Sequence, residues 1–579
     1  MTDPTTTTVE PPDERDAEAS PPWARLGVDW RTVLGVVVVA VVFGLPLRAL
    51  FRYQGPPMEE GFMLVFPEQV LHGQIPHKDF LHLYGPGSLW VLAAWYKLLG
   101  VSLTAERIFG TAQIAGIVFG VMALVRPWGR RAAVIAGIVG ALLTTTAIGL
   151  TALAWNGAVA LAVASLWLGL RARRWLTAGE GAAGVEAERH ARRLFPIAGL
   201  LAGLALLFRP DVVIAVTIST LAVTAGLGWA HRRRWLAGAA VGVAPYLVLL
   251  ATAGPGRAFQ GMVIDPVFKL RAGRSLPRPP SWDHFDGVLQ RVASLREPSW
   301  SLPALTSPQQ AFVWFFLLPV VVVFVLAVGW WRVRAEPDAW RPRVLLAVGL
   351  LGLGLMPQAL QRPDSTHLAW VSCVPLSFLP AAVTELLSHV RIPPVKRYAA
   401  SWSVVVVALV PLFVIPHFTS RTWVDLVGQS RDDKVFGYPI RHDGRTYYLG
   451  SPTIARAGQQ MLDEVGPEMR SGQRLFVGTV DLRKTPYSDA YLYFLLPELD
   501  PATRYIEMDP GMANTEDSGL ADDVASADWL ILSHIWEGWD EPNSSRDLGS
   551  DAPNQVVRKD FCAAGVYGPF EVFRRCANR

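Results

Sequence analysis

The sequence predicts an all-α polytopic membrane domain of about eleven spans, followed by a smaller C-terminal α/β domain. Three observations lead there. Of 579 residues, 51% are hydrophobic and only 18% are charged, where a soluble domain carries about 25% charged residues. The apolar excess falls in runs approaching the ~20 residues that cross a bilayer core. The formal net charge of +4 also divides unevenly: residues 420–579 hold 25 acidic and 17 basic residues, net −8, leaving net +12 upstream. A basic membrane part precedes an acidic one.

Residues 1–30 are rich in Thr, Pro and acids and have little to bury, so they read as a disordered tail. The apolar run that follows is too long for a signal peptide and lacks a small-residue cleavage site. Apolar spans are expected at roughly 33–51, 103–125, 132–150, 152–170, 195–209, 211–229, 236–253, 311–331, 343–359, 367–388 and 399–418. The run from Pro86 to Gly100 is shorter, opens on Gly85-Pro86-Gly87 and contains Lys97. It is expected to lie at the interface rather than span.

Charge tests that choice. With 86–100 left out and the N-terminus inside, the cytoplasmic loops are Arg126 to Arg131, Arg171 to Arg193, His231 to Arg234, Arg332 to Arg343 and Arg391 to Arg397, all of them basic. That is the positive-inside pattern. Counting 86–100 as a span would flip the downstream loops outward. The expected topology therefore places the C-terminus outside, in a multi-pass protein of the plasma membrane.

The same topology gathers polar chemistry on the outer face. A membrane domain over 31–419 carries an outer loop, 52–102, and a second, 254–310. The first holds Glu59-Glu60, His72, His77, His82, Lys78-Asp79 and Tyr84-Gly85-Pro86-Gly87. A carboxylate beside apolar lipid has a raised pKa and can serve as general base; alternatively, Glu59 and Glu60 are acids at a helix start. Arg107, Arg209 and Arg362 all fall at the outer boundary, and the last two open Arg-Pro-Asp runs, with Asp211 and with Asp364 and then His367. Arginine suits bidentate phosphate binding; interfacial snorkelling is the plainer alternative. Loop 254–310 adds Arg257, Lys269, Arg271, Arg274, Arg278, Arg291 and Arg296 with Trp282, His284 and Trp300, a set that fits either a sugar-phosphate or an interfacial anchor. The histidines and carboxylates leave a divalent metal open, but no tight ligand spacing is present. No other cofactor and no nucleic acid is expected.

After Phe418, Leu475 to Val480, Trp529 to Ser533 and Glu571 to Phe573 read as strands, with a helical pattern over Ile454 to Val465. These form an α/β domain over 420–579, expected outside the membrane. Cys373 lies in an apolar run. Cys562 and Cys576 flank a turn at Val566 to Pro569 nearly symmetrically, which fits a cross-strand disulfide formed in an oxidising compartment; two unpaired thiols are the alternative.

An ordered set of residues carries a family resemblance. After the first span come Glu59-Glu60, Gly73, Pro76, Lys78-Asp79-Phe80, Tyr84-Gly85-Pro86-Gly87, Lys97-Leu98-Leu99-Gly100 and Glu106-Arg107. This resembles the first outer loop of GT-C type glycosyltransferases, the group of protein O-mannosyltransferases, aminoarabinose transferases and actinobacterial arabinosyl- and mannosyltransferases. The resemblance implies a polyprenyl-phosphate-linked sugar as donor and a glycan, lipid or protein acceptor outside the cytoplasm. It also implies an inverting single displacement and a loop carboxylate as base, usually the first of an Asp-Glu pair. That position is Glu59, with Glu in place of Asp, so Glu60 stays a second candidate. Lys78, Arg107 and Arg362, with His367, are the candidates for the lipid phosphate. Asp79, His82, Tyr84, Arg209 and Asp364 complete the expected substrate-binding set. A transporter or lipid flippase without transferase chemistry is the rival reading, which requires a polar path through spans that offer little beyond Thr144-Thr145-Thr146 and Asn156.

Overall fold

The computed structural model describes residues 29–146, 149–178, 182–282, 304–389, 405–406, 409, 411–432 and 437–577. Among the described residues, seven helices are long and apolar enough to cross a membrane: Trp30–Leu50, Leu103–Trp128, Val185–Phe208, Trp229–Ala253, Ser307–Ala335, Trp340–Gln361 and Ser365–His389. Shorter or more charged helices, Arg130–Thr145, Ala154–Ala178 and Pro210–Thr224, stand beside them. Ten of the eleven expected runs thus coincide with helices, while 399–418 falls partly outside the described residues.

Local chemistry sets several helix starts. Asp29 accepts from the Arg31 N–H, Ser102 from the Ala105 N–H, and Thr306 with Gln309 forms a reciprocal capping box. Each satisfies amides that have no partner within the helix. One expectation needs revision. The basic stretch after Leu170 is not a loop between short spans, because helices Ala154–Ala178 and Ala182–Phe208 run through most of it. Its Ala, Arg and Glu residues are good helix formers and continue the hydrogen-bond ladder past the apolar part. The two helices pack along each other, and Ser165 donates to the Ala198 carbonyl at 2.7 Å.

The Gly87–Leu99 helix has 13 residues, about 20 Å at 1.5 Å per residue, too short for a ~30 Å core. It buries Leu89, Leu92 and Tyr96 against the Pro57–Leu71 helix, where the Tyr96 hydroxyl donates to the Met63 carbonyl at 3.1 Å, and leaves Lys97 exposed.

The C-terminal region holds a hairpin of β1 (Tyr438–His442) and β2 (Arg445–Leu449) and a five-stranded sheet. The sheet contains β3 (Arg474–Thr479), β4 (Asp500–Pro501), β5 (Trp529–Ser533), β6 (Phe561–Tyr567) and β7 (Phe570–Arg575) in the order β4-β3-β5-β7-β6. β3 runs parallel to β4 and β5; β7 is antiparallel to β5 and β6. Every residue of β5 is buried, which is why it reads as a continuous apolar run. Helix Pro452–Val465 covers the sheet, with Ala455, Met461, Leu462 and Val465 buried.

The Cys562 and Cys576 sulfurs are bonded across the β6–β7 hairpin, Cα–Cα 5.2 Å, sequence separation 14. Closing so short a loop restricts the unfolded chain by about 3 kcal/mol. Replacing both cysteines with Ser is expected to lower the thermal midpoint of the full-length protein in non-reducing buffer, and dithiothreitol is expected to lower the parent to the same value.

One apolar cluster joins the first outer loop to the C-terminal region. Phe62, Phe66 and Phe80 share it with Tyr447, Tyr491 and Phe494, and the Tyr447 and Tyr491 rings stack at 4.5 Å. Gly61 makes the contact close: a Cβ there would lie 2.5 Å from the Tyr491 amide nitrogen. Glu68 receives Arg445 in a bidentate pair at 2.6 and 2.8 Å. The C-terminal region is therefore docked on the helix that carries Glu59.

Candidate active site

A cavity of about 760 Å³ opens between the helix ends and the C-terminal region. Its walls come from the Pro57–Leu71 helix (Glu59, Phe62), the Tyr84 turn, the chain around Arg209 to Ile214, the segment Met262 to Arg274, the end of helix Trp340–Gln361 with Arg362 to His367, and the C-terminal residues Tyr487, Glu507, Asp509, Trp536 and Trp539.

Glu59 is half-buried on the cavity wall, in the first turn of its helix. The Tyr487 hydroxyl donates to its Oε2. Burial pushes the Glu59 carboxyl above the usual carboxylate range, and the Tyr487 hydrogen bond and the charges of Arg274 and Arg362 pull only partly in the other direction. A carboxyl raised in this way is a better proton acceptor than an ordinary solvated carboxylate.

Glu60 has a different fate. It is fully buried and absent from the cavity wall. Arg107 grips it with Nε and Nη2, both at 2.8 Å, while also donating to the carbonyls of Leu50 at 3.0 Å and Tyr53 at 2.8 Å. Adjacent helical residues diverge by about 100°, so one carboxylate faces the cavity and the other faces the Leu103–Val125 helix. Neither partner of this pair lines the cavity. The structure thus places Glu60, the expected alternative base, and Arg107, an expected phosphate holder, in a buried ion pair away from the cavity.

Lys78 and Asp79 also lie elsewhere. Both are exposed and neither lines the cavity; Asp79 Oδ2 accepts from the Ile75 N–H at 2.8 Å, closing a tight turn. His82 is buried behind the wall, edge-on to Phe66 at 5.7 Å and to Tyr84 at 5.5 Å. Burial drives its pKa well below the ordinary value. The expected substrate roles of Lys78, Asp79 and His82 find no support in their positions.

The remaining expected residues meet at the cavity. Tyr84 lies under Arg209, whose guanidinium carbon is 4.1 Å from the ring centroid and 5.2 Å from that of Trp155. Both Arg-Pro-Asp runs close on themselves. Arg209 bonds Asp211 at 2.9 and 2.6 Å, and Arg362 bonds Asp364 at 2.8 Å. Proline ends the helix and turns the chain so that the aspartate reaches back to its own arginine. Asp364 Oδ1 also accepts the His367 N–H at 2.9 Å and lies 2.8 Å from His367 Nδ1, and the contacts with His367 and Arg362 hold its carboxyl well below the usual range against the effect of burial.

Several residues at or behind the cavity wall were not legible as such. Glu541, behind the wall, binds Arg362 through both carboxylate oxygens, one at 2.7 Å. Asp509 Oδ1 accepts from Arg274 at 2.9 and 2.5 Å. Tyr487, Trp536 and Trp539 form an aromatic corner, with Tyr487 4.4 Å from Trp536 and the two indoles 5.9 Å apart. The available signals were weak: a Trp536-x-x-Trp539-x-Glu541 cluster and a Glu507-x-Asp509 pair in a stretch without clear periodicity. Arg271 lines the cavity and has no carboxylate partner among the described residues. Among the described residues, no group of three or more His, Cys, Asp or Glu side chains is arranged to hold a metal ion. His284, Arg291, Arg296 and Trp300 lie outside the described residues.

No protein-family model matches the chain, and no curated protein matches it. Among solved structures it is similar to ArnT from Cupriavidus metallidurans bound to undecaprenyl phosphate, at 15% identity and TM-score 0.48, covering 94% of this chain and 98% of that one. It is also similar to the archaeal oligosaccharyltransferase AglB from Archaeoglobus fulgidus in complex with an inhibitory peptide and a dolichol-phosphate, at 10% identity and TM-score 0.47, covering 95% of this chain and 75% of that one.

Proposed function

We propose that the chain is a membrane glycosyltransferase that moves a sugar from a polyprenyl-phosphate carrier to an acceptor outside the cytoplasm. The observation that carries this reading is a single cavity holding a desolvated carboxylate, Glu59, together with Arg209, Arg271, Arg274 and Arg362. A transporter has no need of such a set at one end of its helices.

The wall supports a lipid-linked donor. Val212, Val213, Ile214, Leu355, Met262 and Val267 supply apolar surface, and Val213, Ile214 and Val267 are also exposed on the outside of the helices. An isoprenoid chain entering sideways would bury against them at about 25 cal/mol per Å² of apolar surface, leaving its phosphate among the arginines. Arg209, Arg274 and Arg362 are already aligned by Asp211, Asp509 and Asp364 with Glu541. Arg271, exposed and uncommitted among the described residues, is the cation best able to take up the phosphate charge.

The reaction follows from this placement. Glu59 takes the proton of an acceptor hydroxyl, and the oxygen attacks the anomeric carbon. The bond from that carbon to the phosphate oxygen breaks, and polyprenyl phosphate leaves with its negative charge facing the arginines. One displacement inverts the anomeric configuration. Tyr487 orients Glu59 through its hydroxyl. The C-terminal region and the cavity lie on the outer side in this reading, with the N-terminus inside.

The test is consumption of labelled polyprenyl-phosphate sugars by the full-length protein in lipid, across a panel of sugars and acceptors. Release of polyprenyl phosphate with one donor supports the reading. Vectorial movement of the intact lipid without cleavage would replace it with transport. Because the base must be ionised, kcat is expected to fall as pH drops through the raised Glu59 pKa, so the acid limb should lie above the ordinary carboxylate range.

A further inference from the structure

Two buried carboxyl groups of the C-terminal region face the cavity and take no part in the step just described. Glu507 is 4% exposed and lines the cavity, and its Oε2 accepts no hydrogen bond. Asp509 is 1% exposed; Arg274 occupies its Oδ1, and its Oδ2 accepts none. Buried polar atoms are nearly always satisfied, and an unsatisfied one is costly to maintain. Two such oxygens on one cavity wall mark a place where a ligand supplies the missing donors.

The chemistry of the wall narrows the ligand. Carboxylate oxygens accept and repel anions, so the phosphate of a donor lipid sits away from them, toward Arg271. Burial pushes both carboxyls above the usual range; the charges of Asp509 and Glu59 add to the effect on Glu507, while Arg274 and Arg362 partly offset it on Asp509. Lining the same cavity are the indoles of Trp536, Trp539 and Trp282, the last edge-on to Trp539 at 6.3 Å. A sugar ring offers both halves of the match: hydroxyl donors around its rim and a C–H face for an indole.

We infer that Glu507, with Asp509 Oδ2 beside it, binds ring hydroxyls of the transferred sugar and sets which sugar is accepted. This rests on the glycosyltransferase reading and assigns the sugar-selecting surface to the C-terminal region, with the phosphate and lipid held by the membrane helices. Glu507 is a binding residue here and Glu59 the base. The two carboxyl groups act on different atoms of the donor.

The test compares two ligands on the full-length protein in lipid: polyprenyl phosphate alone, and the polyprenyl-phosphate sugar that the panel selects. Glu507→Ala is expected to weaken the sugar-bearing lipid by about 10–100-fold, the worth of about two buried hydrogen bonds, while polyprenyl phosphate binding stays within about twofold. With donors lacking one ring hydroxyl at a time, one analogue should bind the parent and the variant equally. Should Glu507→Ala fail to fold, Glu507→Gln keeps the shape, and the same analogue should then show the smallest difference between parent and variant. Equal weakening of both lipids, or no weakening of either, overturns the inference and leaves the proposed function standing. A parent protein that binds polyprenyl phosphate no differently with or without any sugar overturns it as well. If the parent binds none of these lipids, the proposed function falls, and this inference with it.

Discussion

Glu59→Gln is expected to lower kcat for sugar transfer by about 10²–10⁴-fold, the usual worth of a positioned general base, with little change in stability or in lipid binding. Glutamine keeps the length and the acceptor oxygen, so the Tyr487 hydroxyl still has a partner and the first turn of the Pro57–Leu71 helix keeps its shape. What is lost is a group able to take a proton. Release of polyprenyl phosphate from a labelled donor reads kcat, and a thermal melt in the same lipid reads stability. Glu59→Asp retains the carboxylate but withdraws it by one methylene, about 1.5 Å. Misplacement on that scale costs up to about 10²-fold, so this variant should fall between the parent and Glu59→Gln. The pH profile separates a base from a mere structural acid: Glu59→Gln should lose the acid limb, and its residual rate should be flat across the window where the parent declines. A full-rate Glu59→Gln protein would remove Glu59 from the chemistry and leave only the orienting role of its neighbours.

The sequence made some of this legible for a physical reason. Crossing or packing within a bilayer imposes a long apolar run, and a buried central strand imposes a short one, so the helices and β5 (Trp529–Ser533) stood out. The Arg-Pro-Asp runs were legible because proline and a two-residue spacing force a local ion pair, and both pairs form. Contacts made over long separations left no such trace. Tyr487 is 428 positions from Glu59, and Glu541 is 179 from Arg362. No periodicity encodes which acidic residue of the C-terminal region meets which arginine. The split in net charge came nearest: a basic part and an acidic part were visible, and Arg274–Asp509 and Arg362–Glu541 are pairs through which they meet. At Lys78-Asp79 a dense polar loop suggested chemistry; both residues are exposed, and the Asp79 carboxylate accepts the Ile75 N–H within a turn. Polarity in a loop marks exposure as readily as function, and only the fold decides between them.

Breaking the buried Glu60–Arg107 pair is expected to cost about 3–5 kcal/mol of stability, the largest single loss predicted for this chain. Arg107 is 1% exposed and Glu60 fully buried, and the guanidinium also holds the Leu50 and Tyr53 carbonyls. It thus ties the end of the first membrane helix, the turn after it and the start of the Pro57–Leu71 helix to the Leu103–Val125 helix. Arg107→Met removes the cation and leaves Glu60 with a charge and no counter-ion; Glu60→Gln leaves Arg107 with two carbonyls and no anion. Each should lower the thermal midpoint sharply and reduce the yield of folded protein. The double replacement by Gln and Met removes both charges together, so its cost should be well below the sum of the single costs, limited mainly by two unpaired carbonyls at about 1–3 kcal/mol each. Coupling between the two sites in that cycle is the signature of a pair that acts on the fold. Glu59→Gln shows the opposite pattern, a folded protein with a slow reaction. The two adjacent glutamates are chemically identical in the sequence and differ only in what surrounds them: one has two fixed donors from an arginine, the other a tyrosine hydroxyl and a cavity. If Arg107→Met left stability intact and weakened only lipid binding, Arg107 would belong to the phosphate site after all, and the division between a structural and a reactive carboxylate would have to be redrawn.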